Sequence, residues 1–310
     1  MKSISEIKAA IDCPVPSIST PFLENGDIDW RSLDRIVDFL IENGAKALLV
    51  TNGDSLLSVL TDQETAELNR RVIKAAKGRA LIMAGGKPWG GAQALEFAGF
   101  LREIGSDVYL PMIPDWAQST SSDQCADLLR KAGQIMPVMA LTNLGNGRGI
   151  PLSVFSKLIE EGAHGFMGVK DDMCGPYGRR LAALLDGRYA FLSGGRAENH
   201  LDVAPYRPDG YLSIFMRFLP NLAWGYWKRY CAGDYHACAR WIMRYEVRFM
   251  DFIAKEGIQF DMAIHALMSR AGLCEKWRRM PYESADDAQE EALARLWEEL
   301  TAPEASPAEG

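Results

Sequence analysis

The segment Gly165-Phe166-Met167-Gly168-Val169-Lys170-Asp171-Asp172 decides the fold. Its mostly apolar residues, with Gly165 and Gly168 leaving room for close packing, read as a buried strand that ends on an amine. A lysine so placed belongs in the C-terminal mouth of an α/β barrel, where reactive groups collect. Water is scarce there, and desolvation disfavours an ammonium, so the amine is readier to attack a carbonyl carbon. The plainer alternative is an ion pair, for which Asp171 or Asp172 stands ready beside Lys170. Both readings start from the same strand, and the rest of the chain favours the first.

Outward from this strand, short apolar runs alternate with helical patterns. The spacing predicts strands over 15–22, 47–50, 80–86, 107–112, 137–142, 165–170, 189–194 and 210–215. Amphipathic helices are predicted over 30–42, 62–77, 92–104, 123–133 and 152–161. In the first of these, Leu33, Ile36, Val37, Leu40 and Ile41 form the stripe of a helix packed on a sheet. Gly44, Gly78, Gly105, Gly162 and Gly187 punctuate the helix ends. This alternation predicts an α/β fold, a (β/α)8 TIM barrel over 1–220 with a short N-terminal segment. No GxGxxG follows the first strand, which argues against an open dinucleotide-binding sheet. Helices over 222–232, 235–256, 260–271 and 285–300 make a C-terminal appendage (221–300) packed on the barrel. The Pro-, Ala- and Glu-rich stretch 301–310 is expected to be a disordered tail.

The chain has 310 residues, 48% hydrophobic and 24% charged, as a globular domain requires. A net charge of −7 argues against a nucleic-acid surface or an anionic membrane. There is neither a signal-peptide pattern nor a membrane-length apolar run. Six cysteines without close pairing point to reduced thiols and a cytoplasmic location. Four dispersed histidines leave little room for a metal site, and no metal is expected.

The strand ends are rich in small hydroxyls, amides, glycines and cations: Thr51-Asn52-Gly53-Asp54-Ser55, Gly85-Gly86-Lys87, Thr142-Asn143, Lys170-Asp171-Asp172 and Ser193-Gly194-Gly195-Arg196. Such groups suit a keto acid, whose carboxylate takes hydrogen bonds while an amine attacks its ketone. Arg196 after a glycine-rich turn is equally an anion site or a structural ion pair. Lys87 reads as a solvated rim lysine, and Cys174 as a bystander thiol.

In order and spacing the chain resembles the dihydrodipicolinate synthase / N-acetylneuraminate lyase family of Schiff-base-forming lyases. The resemblance rests on Pro16-Ser17-Ile18-Ser19-Thr20-Pro21-Phe22, Leu60-Thr61-Asp62-Gln63-Glu64, Gly168-Val169-Lys170-Asp171, Leu192-Ser193-Gly194 and Leu219-Pro220-Asn221. It implies that Lys170 forms an imine with a pyruvate-like 2-oxo acid or 2-keto-3-deoxy sugar acid. No cofactor is implied beyond that imine. Thr51, Asn52 and Gly53 would hold the carboxylate, with Asn143, Ser193 and Gly194 around it, and Arg148 or Arg196 would meet a further polar end. A homo-oligomer, tetramer or dimer, is implied as well.

Two departures mark a divergent member. Val50-Thr51-Asn52-Gly53-Asp54-Ser55 replaces the family's Gly-Thr-Thr-Gly-Glu-Ser. Thr142, before Asn143, stands where the family carries its proton-relaying tyrosine. A threonine hydroxyl is shorter than a phenol and a far poorer proton donor. Either Thr142 positions a water, or another group handles protons, or turnover is lost. The expected activity is therefore an aldolase or dehydratase. The alternative is a catalytically impaired metabolite-binding or scaffold protein. Trp116, after the fourth strand, is the candidate for the aromatic residue that some members lend across a subunit interface, or else a loop anchor.

Overall fold

The computed structural model describes residues 2–145 and 147–303. Eight parallel strands form one sheet: β1 (Pro14–Val15), β2 (Ala47–Val50), β3 (Leu81–Gly85), β4 (Val108–Leu110), β5 (Val138–Leu141), β6 (Phe166–Asp171), β7 (Ala190–Ser193) and β8 (Gly210–Leu212). From β2 to β8 each strand pairs with its sequence neighbour, and β8 pairs with β1. Closure comes just past β1. Ser17 bridges Leu49 in parallel, the Ile18 N–H donates to the Leu49 carbonyl at 2.8 Å, and the Leu49 N–H donates to that of Pro16 at 3.0 Å. The result is a (β/α)8 barrel. Its first strand is shorter than the expected 15–22 because Pro16 and Pro21 have no N–H to give a ladder. The chain then turns out to pair Phe22 with Ile28.

Period-two alternation sorts the strand residues. Val15, Leu49, Met83, Met139 and Leu192 pack inside the barrel. Leu48, Val50, Ile82, Ala140, Val169 and Phe191 pack outward, on the helices. Because Val169 faces out, Gly168 and Lys170 face in. At Gly168 the barrel is so tight that a Cβ would lie 2.0 Å from the Ala190 carbonyl oxygen.

A helix over Ile4–Ile11, absent from the sequence reading, closes the lower end of the barrel. Ser3 and Glu6 form its capping box, and Ile7 and Ile11 join the interior cluster fully buried. The other helices keep near to expectation: Trp30–Glu42, Asp62–Ala76, Gly91–Ile104, Ser122–Ile135 and Leu152–Glu160. Thr61 and Glu64 box the second of these, and Asp29 caps the first.

At the C-terminus, helices Pro220–Cys231, Phe260–Arg270 and Asp287–Thr301 enter one core with the barrel, in which Phe215, Trp241, Phe249 and Leu296 join Leu33 and Ile36. The helix expected over 235–256 runs from Tyr235 to Lys255, but not as regular α-helix throughout. Tyr235–Trp241 and Arg248–Lys255 flank a π-helical segment, Ile242–Val247. That segment delivers Glu246 to the start of helix Arg196–Asp202, where its carboxylate accepts the N–H groups of Ala197 (2.8 Å) and Glu198 (3.0 Å). Of the tail expected over 301–310, residues 304–310 lie outside the described residues. Among the described residues no helix is long and apolar enough to cross a membrane.

Candidate active site

A cavity of about 630 Å³ opens at the C-terminal ends of the strands, and Lys170 is part of its wall. The register places Lys170 between Leu141 of β5 and Leu192 of β7. The residue is only 5% exposed, so its amine meets little solvent outside the cavity. Asn52, Gly53, Asp54, Asn143 and Asp172 add polar groups to the wall. Met112, Ile113, Pro114, Leu144 and Leu212 make an apolar side, and Trp116 stands 89% exposed at the lip.

Lys170 Nζ lies 2.5 Å from Asp172 Oδ1. Of the two adjacent aspartates, Asp172 is therefore the partner. Asp171 is turned away from the amine. Its carboxylate accepts the Thr142 hydroxyl at 3.0 Å and the N–H groups of Met173 (3.0 Å) and Cys174 (3.2 Å). Burial pushes the Asp171 carboxyl up, and these donors offset part of that rise. The Cys174 thiol beside it is pushed up to about 12 by burial first and then by the carboxylates of Asp171 and Asp172, which leaves it unreactive.

Thr142 is fully buried and is not part of the cavity wall. Its hydroxyl accepts the Asp172 N–H at 2.9 Å while donating to Asp171. Thr51, also buried, takes a left-handed φ of 49° and donates its hydroxyl to the Gly85 carbonyl at 2.7 Å. Asn69 donates to the same hydroxyl at 3.0 Å. Thr51 thus braces the wall, and the side chain that reaches the cavity is Asn52. Asn52 Oδ1 accepts the Asp54 N–H at 2.9 Å, while its buried Nδ2 has no protein partner.

Asp54 meets a pair that sequence reasoning missed. Ser17 donates to it at 2.6 Å, and Arg217 Nη1 lies 3.6 Å away. Burial works against the Asp54 carboxylate. The Arg217 guanidinium, the Ser17 hydroxyl and the Lys170 charge outweigh it and hold the carboxyl below its usual range. Arg217 follows β8 at the end of a 3-10 turn, and nothing in its local sequence marks it out.

The expected cations lie elsewhere. Arg148, in the hairpin of Asn143–Gly145 with Arg148–Gly149, pairs with Asp115 at 2.5 Å and donates to the Thr120 carbonyl at 3.3 Å. Asp115 itself is held low, first by the Thr120 N–H and then by Arg148. Arg196 pairs with Glu198 at 3.3 Å. Lys87 pairs with Asp62 at 3.0 Å. Neither arginine, nor Ser193 nor Gly194, belongs to the cavity wall. Gly194 instead donates its N–H to the Asp171 carbonyl at 2.7 Å. Among the described residues no group of three or more His, Cys, Asp or Glu side chains could hold a metal ion.

The sequence model of the dihydrodipicolinate synthetase family matches residues 13–300. A 4-hydroxy-tetrahydrodipicolinate synthase from Hydrogenobaculum sp. is 30% identical over 142 residues, 45% of this chain and 48% of that protein. One from Ruegeria pomeroyi is 25% identical over 297 residues, 90% of this chain and 95% of that protein. The chain spans only 48% and 63% of the length of the first two curated relatives it matches. The crystal structure of N-acetylneuraminate lyase from Fusobacterium nucleatum superposes with a TM-score of 0.83 at 15% identity, covering 94% of this chain and 99% of that one. At that identity the likeness concerns the fold alone.

Proposed function

The chain belongs to the dihydrodipicolinate synthetase family, and from that premise we propose that it is a Schiff-base lyase, an aldolase or dehydratase, acting on a 2-oxo acid through an imine on Lys170. The observation that carries this reading is the buried Lys170 amine in the wall of the 630 Å³ cavity. A small 2-oxo acid entering there presents its ketone to the amine. Asn52 is part of that wall, and its Nδ2, buried without a protein partner, would take the carboxylate once the side chain turns into the cavity. The iminium then withdraws electrons from the neighbouring carbon, so that a C–C or C–O bond breaks or forms. No metal or organic cofactor is needed for these steps.

The remainder of the substrate lies along Met112, Ile113, Pro114 and Leu144 toward Trp116. With Arg148 and Arg196 committed to Asp115 and Glu198, that wall favours an apolar substituent over a second anionic group. The protein is further proposed to work in the cytoplasm as a dimer or tetramer, with exposed apolar side chains such as Met243 and Met280 available for burial.

Borohydride added with pyruvate is expected to leave a stable adduct on Lys170, mapped by peptide mass, and none on Lys170→Ala. Absence of an adduct with every 2-oxo acid tried would overturn the reading. A second reading, a metabolite binder without turnover, is favoured by Thr142 in place of the relaying phenol. Calorimetric binding of 2-oxo acids with neither adduct nor product would select it.

A further inference from the structure

Imine chemistry needs a proton carrier at the amine, and the position that resembles the family's tyrosine holds Thr142, which does not reach the cavity. The cavity wall contains no tyrosine, histidine or cysteine among the described residues; its titratable side chains are Asp54, Asp115, Lys170 and Asp172. Two of the three carboxylates are committed: Asp54 to Ser17 and Arg217, Asp115 to Arg148 and the Thr120 N–H. Asp172 makes one side-chain hydrogen bond among the described residues, and it is to Lys170 Nζ at 2.5 Å.

We infer that Asp172 is the catalytic acid and base of this site, carrying the protons that the family's phenol would otherwise move. This rests on the imine reading of Lys170.

The local build fits the role. Thr142 holds the Asp172 N–H at 2.9 Å and so fixes the backbone that carries the carboxylate. Asp171, two hydrogen bonds deep in the following turn, keeps its own carboxylate out of the way. Gly194 leaves the space the Asp172 carboxylate fills, since a Cβ there would lie 2.0 Å from Oδ1. The short side chain at 142, the aspartate at 172 and the glycine at 194 thus form one arrangement, in which proton transfer sits two residues after the lysine.

The protons balance. The ammonium of Lys170 gives one proton to the Asp172 carboxylate, and the free amine attacks the ketone carbon, forming a C–N bond as the carbonyl pair moves to oxygen. Asp172 protonates that oxygen and takes a proton from the nitrogen, giving a neutral carbinolamine. It then protonates the hydroxyl, which leaves as water while the nitrogen lone pair forms the iminium. The carboxylate is regenerated facing the iminium, where it can accept the next proton, from the substrate.

The test is the rate of borohydride trapping with pyruvate. Wild type is expected to form the Lys170 adduct, and Asp172→Asn to form the same adduct about 100-fold more slowly. Asp172→Ala leaves room for a small acid, and added acetate is expected to speed its trapping without speeding that of wild type. Trapping of Asp172→Asn at the wild-type rate, or of Asp172→Ala at a slowed rate indifferent to acetate, would overturn the inference while leaving the imine on Lys170 standing. Failure of wild type itself to form an adduct would remove both, and needs no variant to be seen. Circular dichroism of each variant separates a lost proton carrier from a lost fold, and the acetate response is a readout that misfolded protein does not give.

Discussion

The Thr142 hydroxyl joins the ends of two strands, accepting the Asp172 N–H at 2.9 Å while donating to Asp171 Oδ1 at 3.0 Å. One hydroxyl has a single O–H to give, so both of its roles are used, with Asp171 buried and Asp172 part-buried. Thr142→Val keeps the shape and removes both bonds. The expected loss is about 2 kcal/mol in urea unfolding, the usual penalty for leaving buried polar groups without partners. Trapping at Lys170 should slow by roughly 10-fold, as one fixed contact to the proton carrier's backbone is lost. Thr142→Ser, which keeps the hydroxyl, should restore most of the rate.

Gly194→Ala tests the same arrangement from the other side. The added methyl would meet Asp172 Oδ1 at 2.0 Å and the Asp171 carbonyl at 2.5 Å, one movable contact and one backbone contact. Over-packing of this kind typically destabilises by about 1–3 kcal/mol. The carboxylate is the part that can yield, so the Lys170–Asp172 contact should open before the barrel does. The expected signature is trapping slowed more than 10-fold at a thermal midpoint only a few degrees lower. A variant that traps at the wild-type rate would show that the carboxylate has other room.

The barrel was legible in the sequence because its signals are local. Apolar runs, helix stripes and glycine ends each report on a few neighbouring residues, and Lys170 lies inward because Val169 lies outward. The closing helix was legible too, in the buried pair Ile7 and Ile11 and the box Ser3-x-x-Glu6, but that short segment was read only as N-terminal. The site was harder. Whether Thr51 or Asn52 faces the cavity depends on a left-handed turn at Thr51, and whether Lys170 pairs with Asp171 or Asp172 depends on N–H groups that turn Asp171 aside. Arg217, 163 residues from Asp54, is brought to it only by closure of the barrel. Arg196 was open to two readings, an anion site or a structural ion pair, and it takes the second with Glu198, two residues on; Arg148 is neutralised by Asp115, 33 residues earlier, which only the fold brings into place.

On the proposed reading, Trp116 would meet the distal end of the substrate. Its ring is 89% exposed at the rim, next to Ile113, Pro114 and Leu144 of the wall. A substrate with an apolar substituent would cover part of that ring, and pyruvate, which has no such substituent, would not. Trp116→Ala should weaken binding of 2-oxo acids with aromatic or branched substituents by about 10-fold, near 1.4 kcal/mol. Trapping of pyruvate should stay unchanged, and the comparison of the two concentration dependences is the measurement. Equal losses for both acids would place the ring in a purely structural role.

Glu246 gives the fold a pH dependence that can be read apart from the chemistry. Burial raises its carboxyl from 4.5 to about 7, and the N–H groups of Ala197 and Glu198, with Arg196 nearby, only partly offset this. Between those two values the folded chain holds a proton that the unfolded chain has released. Its contribution to stability is therefore fully present below pH 4.5, falls as pH rises toward 7, and levels off above. The full swing is on the order of 3 kcal/mol. His200 and His265, pushed down to about 3 by burial, act in the opposite sense, since they lose stability as pH falls below 6.5. Wild type alone therefore gives a mixed curve. Glu246→Gln keeps an oxygen for one of the two N–H groups, a loss that does not vary with pH, and has no proton to exchange. Subtracting its urea stability from that of wild type at each pH cancels both histidines. The difference should move in favour of the variant by about 1–3 kcal/mol from pH 5 to pH 8. A flat difference would mean that water reaches the carboxylate at the π-helical turn.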